Sequence, residues 1–474
     1  MLKQVASPPK IMPSVYGPPL PNQRAAEYSG LVSLEVVDLF PDITPSIYLQ
    51  EDNLAIIRSA TEEALTSVDM NMIKADDTVN VLCSEHGFGI LGGWAYAEMI
   101  KTIKDVVKAR TGCKNIRLKV TVGFGYKEAP EIIGYYGLDD HFEGQTAGVT
   151  PQDPGVPIET EIGTLYGLAQ IYDSDWFIQA HHGDLRELYW HRLMDQALKP
   201  FTMSYARVET RGVYHFNFGP RSSNFVQRAI FDSEFIQERY AFSSLLLTAP
   251  SGIIGVDADN DLNAINRRLA VEGLKSYGKM VRLFGEIDEC VVVLDGAKWL
   301  HYQHASGITF GNLVNAQLDF FDLNTVPAGT GFALFERTPG APKIRAVNPA
   351  LKALVINHMY TNMMCTELPL NIPTIVVGRN LADRLSYDPA NPEFMDVAVT
   401  AEDLAAALNF AQRIAETDKV IVFDGSYGRI NLSPTLGKFL MEKAPDVSRK
   451  VDEELLPQWL KQRGIDPEEL QARF

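Results

Sequence analysis

Cysteine, positive charge and long apolar runs are all scarce in this chain. Its 474 residues include four cysteines, Cys83, Cys113, Cys290 and Cys365, far apart and without a CxxC pair. That excludes a disulfide framework or a zinc finger and suits buried thiols in a reducing compartment. Lysine and arginine number 43 against 60 acidic residues, a net charge of −17 with a pI near 5.0, so a nucleic-acid backbone would meet a repulsive field. No uncharged apolar run approaches the ~20 residues that span a bilayer, and residues 1–24 lack an apolar stretch of signal-peptide length. The H-E-x-x-H, P-loop, G-x-S-x-G and EF-hand patterns are missing too, which leaves hydrolytic zinc chemistry without support. The expectation is a cytoplasmic protein that engages neither nucleic acid nor membrane.

What is present is ample core material: 46% of the residues are hydrophobic and 10% aromatic, enough for two domains at roughly 150 residues or more each. Six prolines between Pro8 and Pro21 predict an extended N-terminal arm over residues 1–50, because each fixes φ and lacks a donor. From there the pattern becomes regular. A helical stretch over 54–68 precedes an apolar run, 79–83, that reads as a strand. The loop 84–89, an amphipathic helix closed by Gly112 and a second strand over 116–122 complete a βαβ unit. Such a unit implies a parallel sheet with ligand loops at the carboxyl ends of its strands. Further strands read at 176–179, 290–294, 374–377 and 420–423, with a hairpin over 245–256 and a helix over 262–277. Thr400-Ala401-Glu402-Asp403 reads as a capping box that starts a helix over 404–414. The fold class is therefore α/β, two-domain, with parallel or mixed sheets flanked by helices. The boundaries read as an N-terminal α/β domain over 51–285 carrying most of the site, a C-terminal α/β domain over 286–435 and a helical tail over 436–474.

Two constellations carry chemistry. Gly87-Phe88-Gly89-Ile90-Leu91-Gly92 matches G-x-G-x-x-G after a strand and before a helix, where glycines let backbone amides and a helix dipole approach a phosphate. A dinucleotide fold also wants an acid at the end of the second strand, and Thr121-Val122-Gly123-Phe124-Gly125 has none. The motif reads as a general anion-binding loop or a structural turn, with an NAD-dependent oxidoreductase as the lesser alternative. The second constellation is Ala180-His181-His182-Gly183-Asp184, continuing through Arg186, His191 and Lys199 to His215. Four of the nine histidines fall there within 35 residues, a clustering that suits proton transfer or metal ligation because imidazole titrates near neutrality and donates a lone pair. His141, His301, His304 and His358 stand apart and read as structural.

Laid end to end, these segments resemble the nickel-pincer lactate racemase family, from about residue 50 to 435. That family's S-D-x-T-R-P loop, G-T-H-R strand end and G-x-P-V segment have counterparts in order: Ser84-Glu85-His86-Gly87-Phe88-Gly89, Gly123-Phe124-Gly125-Tyr126 and Gly155-Val156-Pro157-Ile158. Its E-T element matches Glu209-Thr210, between a lysine and a histidine, Lys199 and His215, that stand the family's 16 residues apart. The resemblance implies that Lys199 tethers a nickel-pincer nucleotide, a nicotinate-derived cofactor, that His215 ligates its nickel, and that Glu85, Gly87 and Gly89 help to hold it. It implies a racemase or C2-epimerase of a 2-hydroxyacid or sugar acid. In that chemistry a histidine takes the hydroxyl proton while the α-hydride moves to the cofactor and returns to the other face, so acid/base groups are needed on both faces.

The chain departs from the family at several of these positions. The first catalytic histidine falls at Gly125, beside Tyr126; the arginine of the first loop falls at Phe88; and the glycine-rich loop before the lysine is replaced by residues 181–199. Catalytic roles then pass to His182, with His191 second, and to Tyr126 on the opposite face, and substrate binding to Arg186, His86 and Lys127. The alternative is a catalytically diverged binding protein of the same fold. The expected partner is the small-molecule acid, with a homo-oligomer left open.

Overall fold

The apolar runs read as strands pair into two large sheets with helices against them, and the chain is α/β. The computed structural model describes residues 1–4, 24–49, 53–123, 128–183, 196–216, 222–295, 348–358, 371–387, 394–424 and 426–466, with a few positions between 313 and 324. Two units emerge: Met1–Pro45, Ala249–Gly252 and Gly273–Phe474 form the first, and Ser46–Thr248 with Ile253–Glu272 the second.

The first unit opens with β1 (Lys3–Gln4) and β2 (Val32–Glu35). Prolines 8 to 21 lie outside the described residues, but two segments of the expected arm, β1 and β2, are strands of a sheet. Strand β2 pairs antiparallel with Arg429–Leu432, and the Ser33 hydroxyl donates to Asn431 at 2.7 Å in the interior. Its fully buried Leu34 supplies the reason, since an apolar strand gains more from a core than from lying on a surface.

In the second unit, strands β3 (Thr78–Ser84), β4 (Asn115–Thr121) and β5 (Thr146–Val149) run parallel. A separate hairpin, β6 (Gly155–Thr160) and β7 (Gly163–Leu168), carries the Gly155-Val156-Pro157-Ile158 segment. Next come β8 (Trp176–His182), β9 (Tyr240–Ala249) and β10 (Gly252–Asp259), giving the order β10-β9-β8-β3-β4-β5. From β3 the chain winds through β4 to β5 on one side, then crosses to β8 on the other, also parallel to β3. Connections leaving in opposite directions open a crevice at the carboxyl ends of β3 and β8, the usual ligand position in such sheets. The helix Trp94–Thr111 links β3 to β4 and ends, as its sequence predicts, at Gly112, whose φ of +73° favours glycine.

The boundary read near residue 285 falls after Glu272, inside the helix Leu262–Gly285. The first turns of this helix put Leu262, Ile265 and Leu269 into the second unit's core with Phe177 and Leu245. Farther along, within the first unit, fully buried Lys279 pairs with Asp42 and, at 2.7 Å, with Asp452. The amphipathic stripe is continuous through both halves, which is why the sequence shows one helix and no boundary within it.

The first unit's sheet continues with β11 (Cys290–Asp295), β12 (Leu351–His358), β13 (Thr374–Val377), β14 (Val399–Ala401), β15 (Val420–Phe423) and β16 (Arg429–Leu432). Its order is β1-β2-β16-β15-β11-β12-β13-β14, with β15, β11, β12, β13 and β14 parallel. The winding repeats that of the second unit, β11 standing for β3 and β15 for β8. Against it lies the helix Leu404–Ala415, packing Leu404, Ala407, Leu408 and Ala411 on Val291, Val293 and Val355. Its cap is Asp403, which accepts the Ala406 N–H at 2.7 Å, while Thr400 and Ala401 belong to β14 and make no capping box. The expected tail is also part of this unit: the helix Pro434–Lys450, capped by Ser433, buries Leu436, Leu440 and Val447. Among the described residues no helix is long and apolar enough to cross a membrane.

Candidate functional site

At the crevice of the second unit the strands change from apolar to polar. Strand β3 ends at Ser84, followed by Glu85 and His86, and β8 ends in His181 and His182. Residues Glu85–Gly92 wind as a 3-10 helix, so the G-x-G-x-x-G segment is not an open phosphate loop. Gly87 instead leaves room for the Tyr96 ring, which would overlap any Cβ at that position. Fully buried, Tyr96 donates its O–H to the Ala180 carbonyl on β8 at 2.7 Å and accepts the Ser84 N–H of β3 at 3.4 Å. It thereby ties together the two strand ends that bound the crevice. Tyr96→Phe leaves the buried Ala180 carbonyl without that donor, and chemical denaturation is expected to show a loss of about 1–2 kcal/mol.

On the β3 side, Glu85 is buried and accepts the Gly123 N–H just beyond β4. Burial and the neighbouring Glu128 carboxyl push Glu85 up to about 8, against the pull of the Gly123 N–H and of Arg211. Glu85 therefore holds its proton at neutral pH, hydrogen-bonded to Glu128. Glu128 stands in the first turn of the helix Glu128–Tyr135. Arg211 comes from the helix Val208–Phe216; it donates to the Ala206 carbonyl at 3.1 Å and to the Gly123 carbonyl at 3.4 Å, and burial draws its guanidinium down to about 10 while Glu85 opposes. On the β8 side, His182 is 1% exposed, with its ring edge-on to Tyr96 at 5.9 Å and 4.6 Å from the ring of His181. Its Nδ1 lies 2.9 Å from the Gly183 carbonyl. A carbonyl only accepts, so Nδ1 carries the proton and Nε2 is the basic nitrogen of the neutral ring.

Of the residues chosen from sequence, the structure brings Glu85, Gly87 and His182 to this crevice. Gly89 and half-buried His86 lie in the same 3-10 segment. Tyr126, Lys127, Arg186 and His191 lie outside the described residues. Lys199 is 3% exposed on a 3-10 helix, Gln196–Phe201, fixed to β8 through a hydrogen bond of 2.8 Å from Gln179 to the Ala197 carbonyl. His215 is one turn beyond Arg211 on the same helix. Among the described residues no three His, Cys, Asp or Glu side chains converge to hold a metal ion.

Glu128, Tyr96 and the burial of Arg211 escaped the sequence reading. No local pattern marks them, because each acts on a partner brought in by sheet pairing. No protein-family model and no curated protein matches this sequence.

Proposed function

We propose that the chain is an isomerase of a small 2-hydroxyacid or sugar acid, a racemase or C2-epimerase, working at the carboxyl edge of the second unit's sheet. The observation that carries this reading is the pairing of two unlike proton-transfer groups across one crevice: Glu85, protonated beside Glu128, from the β3 and β4 side, and His182 with a basic Nε2 at the end of β8. Inversion at a carbon requires groups of this kind on opposite faces. Arg211 supplies a fixed positive charge for the substrate carboxylate. His182 Nε2 takes the hydroxyl proton and returns it, and the Glu85 and Glu128 pair donates or receives on the other side.

A nickel-pincer nucleotide, tethered at Lys199 and with His215 on its nickel, would supply a reversible acceptor for the α-hydride. Protein made in a host that synthesises this cofactor is expected to show a mass adduct on Lys199, stoichiometric nickel, and inversion of a 2-hydroxyacid without exchange of the α-hydrogen with solvent. Lys199→Ala should remove adduct and activity together while circular dichroism shows an intact fold. A fully active Lys199→Ala variant overturns the tether, and absence of inversion across chiral 2-hydroxyacids and sugar acids overturns the isomerase reading.

A further inference from the structure

The first unit winds as the second does, and its own switch point, between β11 and β15, gathers polar groups that the isomerase reading does not use. Strands β11 and β15 are buried along their length, Val291 to Leu294 and Val420 to Phe423. Polarity starts where they end, at Asp295 on β11, His358 on β12 and Asp424 after β15, all 2% exposed or less. Burying such groups costs several kcal/mol when they lack partners, so a strand end built only for packing would not carry them.

The two acids are accounted for. Asp295 accepts the Ala25 N–H at 2.7 Å and Asn357 at 2.9 Å, and Asp424 accepts the Ser426 N–H at 3.0 Å and Asn431 at 2.8 Å. With their oxygens engaged they make a poor cation site. The donors differ. Arg24 gives one terminal nitrogen to the Asp295 and Asp424 carbonyls, at 2.8 and 3.4 Å, while its Nε is 3.5 Å from the Asp295 carboxylate and makes no hydrogen bond among the described residues. His358 sits beside Asp295 in the strand register, and neither of its ring nitrogens hydrogen-bonds a described residue. Burial, with the charges of Arg24 and of Arg384 from the helix Arg379–Ser386, holds this imidazole at about 4, so it is neutral and has one N–H to give. Buried donors that no acceptor among the described residues takes up, beside the charges of Arg24 and Arg384, suit an added acceptor.

We propose that this switch point is a second ligand site, which takes a small oxyanion, a phosphate or a carboxylate, on Arg24 and His358, with the charge of Arg384 acting on the same imidazole. The site belongs to the first unit alone and does not rest on the isomerase reading. Calorimetric titration of the full chain with inorganic phosphate and, separately, with acetate tests it and distinguishes the two sources. Saturable binding of one of them is expected. It should weaken by about tenfold or more in His358→Leu, which removes the N–H that bonds the anion, and should survive Arg211→Gln at the other crevice. Arg384→Gln gives an independent variant if His358→Leu does not fold. Binding that disappears with Arg211→Gln and is untouched by His358→Leu and Arg384→Gln, or no binding of either anion at millimolar concentration, overturns the proposal.

Discussion

Glu85→Gln is expected to make the protein more stable in alkaline buffer and to abolish a loss of stability that the parent chain shows as pH rises. Glu85 titrates from about 4.5 when unfolded to about 8 when folded, because burial and Glu128 disfavour its charge. A carboxyl whose folded pKa is raised contributes its full stability below the unfolded value, and this contribution drains away as pH climbs through the folded one. The sensitive window is therefore pH 4.5 to 8. Each pKa unit corresponds to roughly 1.4 kcal/mol, so the penalty avoided by the variant at pH 9 is several kcal/mol. Glutamine keeps an acceptor for the Gly123 N–H and an NH2 for Glu128, so the fold is preserved. Melting temperatures across pH 4 to 9 check this: parallel curves for parent and variant would mean that Glu85 is ionised when folded. Activity offers a second reading, since the proton held by Glu85 is lost above pH 8 in the parent.

The second large effect is expected at Gly93, which stands between the 3-10 segment and the helix Trp94–Thr111 with φ at +81°. A Cβ there meets the Phe88 carbonyl oxygen and the Tyr136 hydroxyl. The left-handed backbone costs an L-residue roughly 1–2 kcal/mol, and forcing a methyl into packed surroundings adds about 1–3 kcal/mol. Gly93→Ala should thus lose about 3 kcal/mol or more. Gly112, at the other end of the same helix, is the matched control: its φ is +73°, but the nearest atom to a Cβ is Ala75 Cβ at 3.7 Å. Gly112→Ala is expected to lose only the backbone part. Equal losses in the two variants, measured by chemical denaturation, would show that crowding at Gly93 is relieved.

Much of the fold was legible because its signals are local. The runs 79–83 and 116–122, Gly112 as a helix end and the turn at residues 250 and 251 each speak within a few residues, and the structure shows β3, β4, the helix end and the β9-β10 hairpin where they were read. Strand ends in a βαβ unit also located the crevice, since ligands gather there whatever the side chains. The long-range partners were not legible. Tyr96 reaches Ala180 across 84 residues, and no periodicity announces such a bond. Glu128 drew no reading from the sequence, because the carboxyl that it meets comes from another strand. His358 read as structural for want of neighbouring histidines, although its company, Arg24 and Asp295, arrives from distant parts of the chain.

The placement of β2 beside β16 has a consequence for biosynthesis. Leu34 pairs with Ile430, about 400 residues later, and at roughly 5–20 residues per second a ribosome needs some 20 to 80 seconds to deliver that partner. In the meantime the second unit, drawn from residues 46–248 and 253–272, is complete and free to fold. The first unit therefore closes last, around its oldest residues, and until then the edge of β2 that faces away from β1 stays open and in need of shelter from other chains.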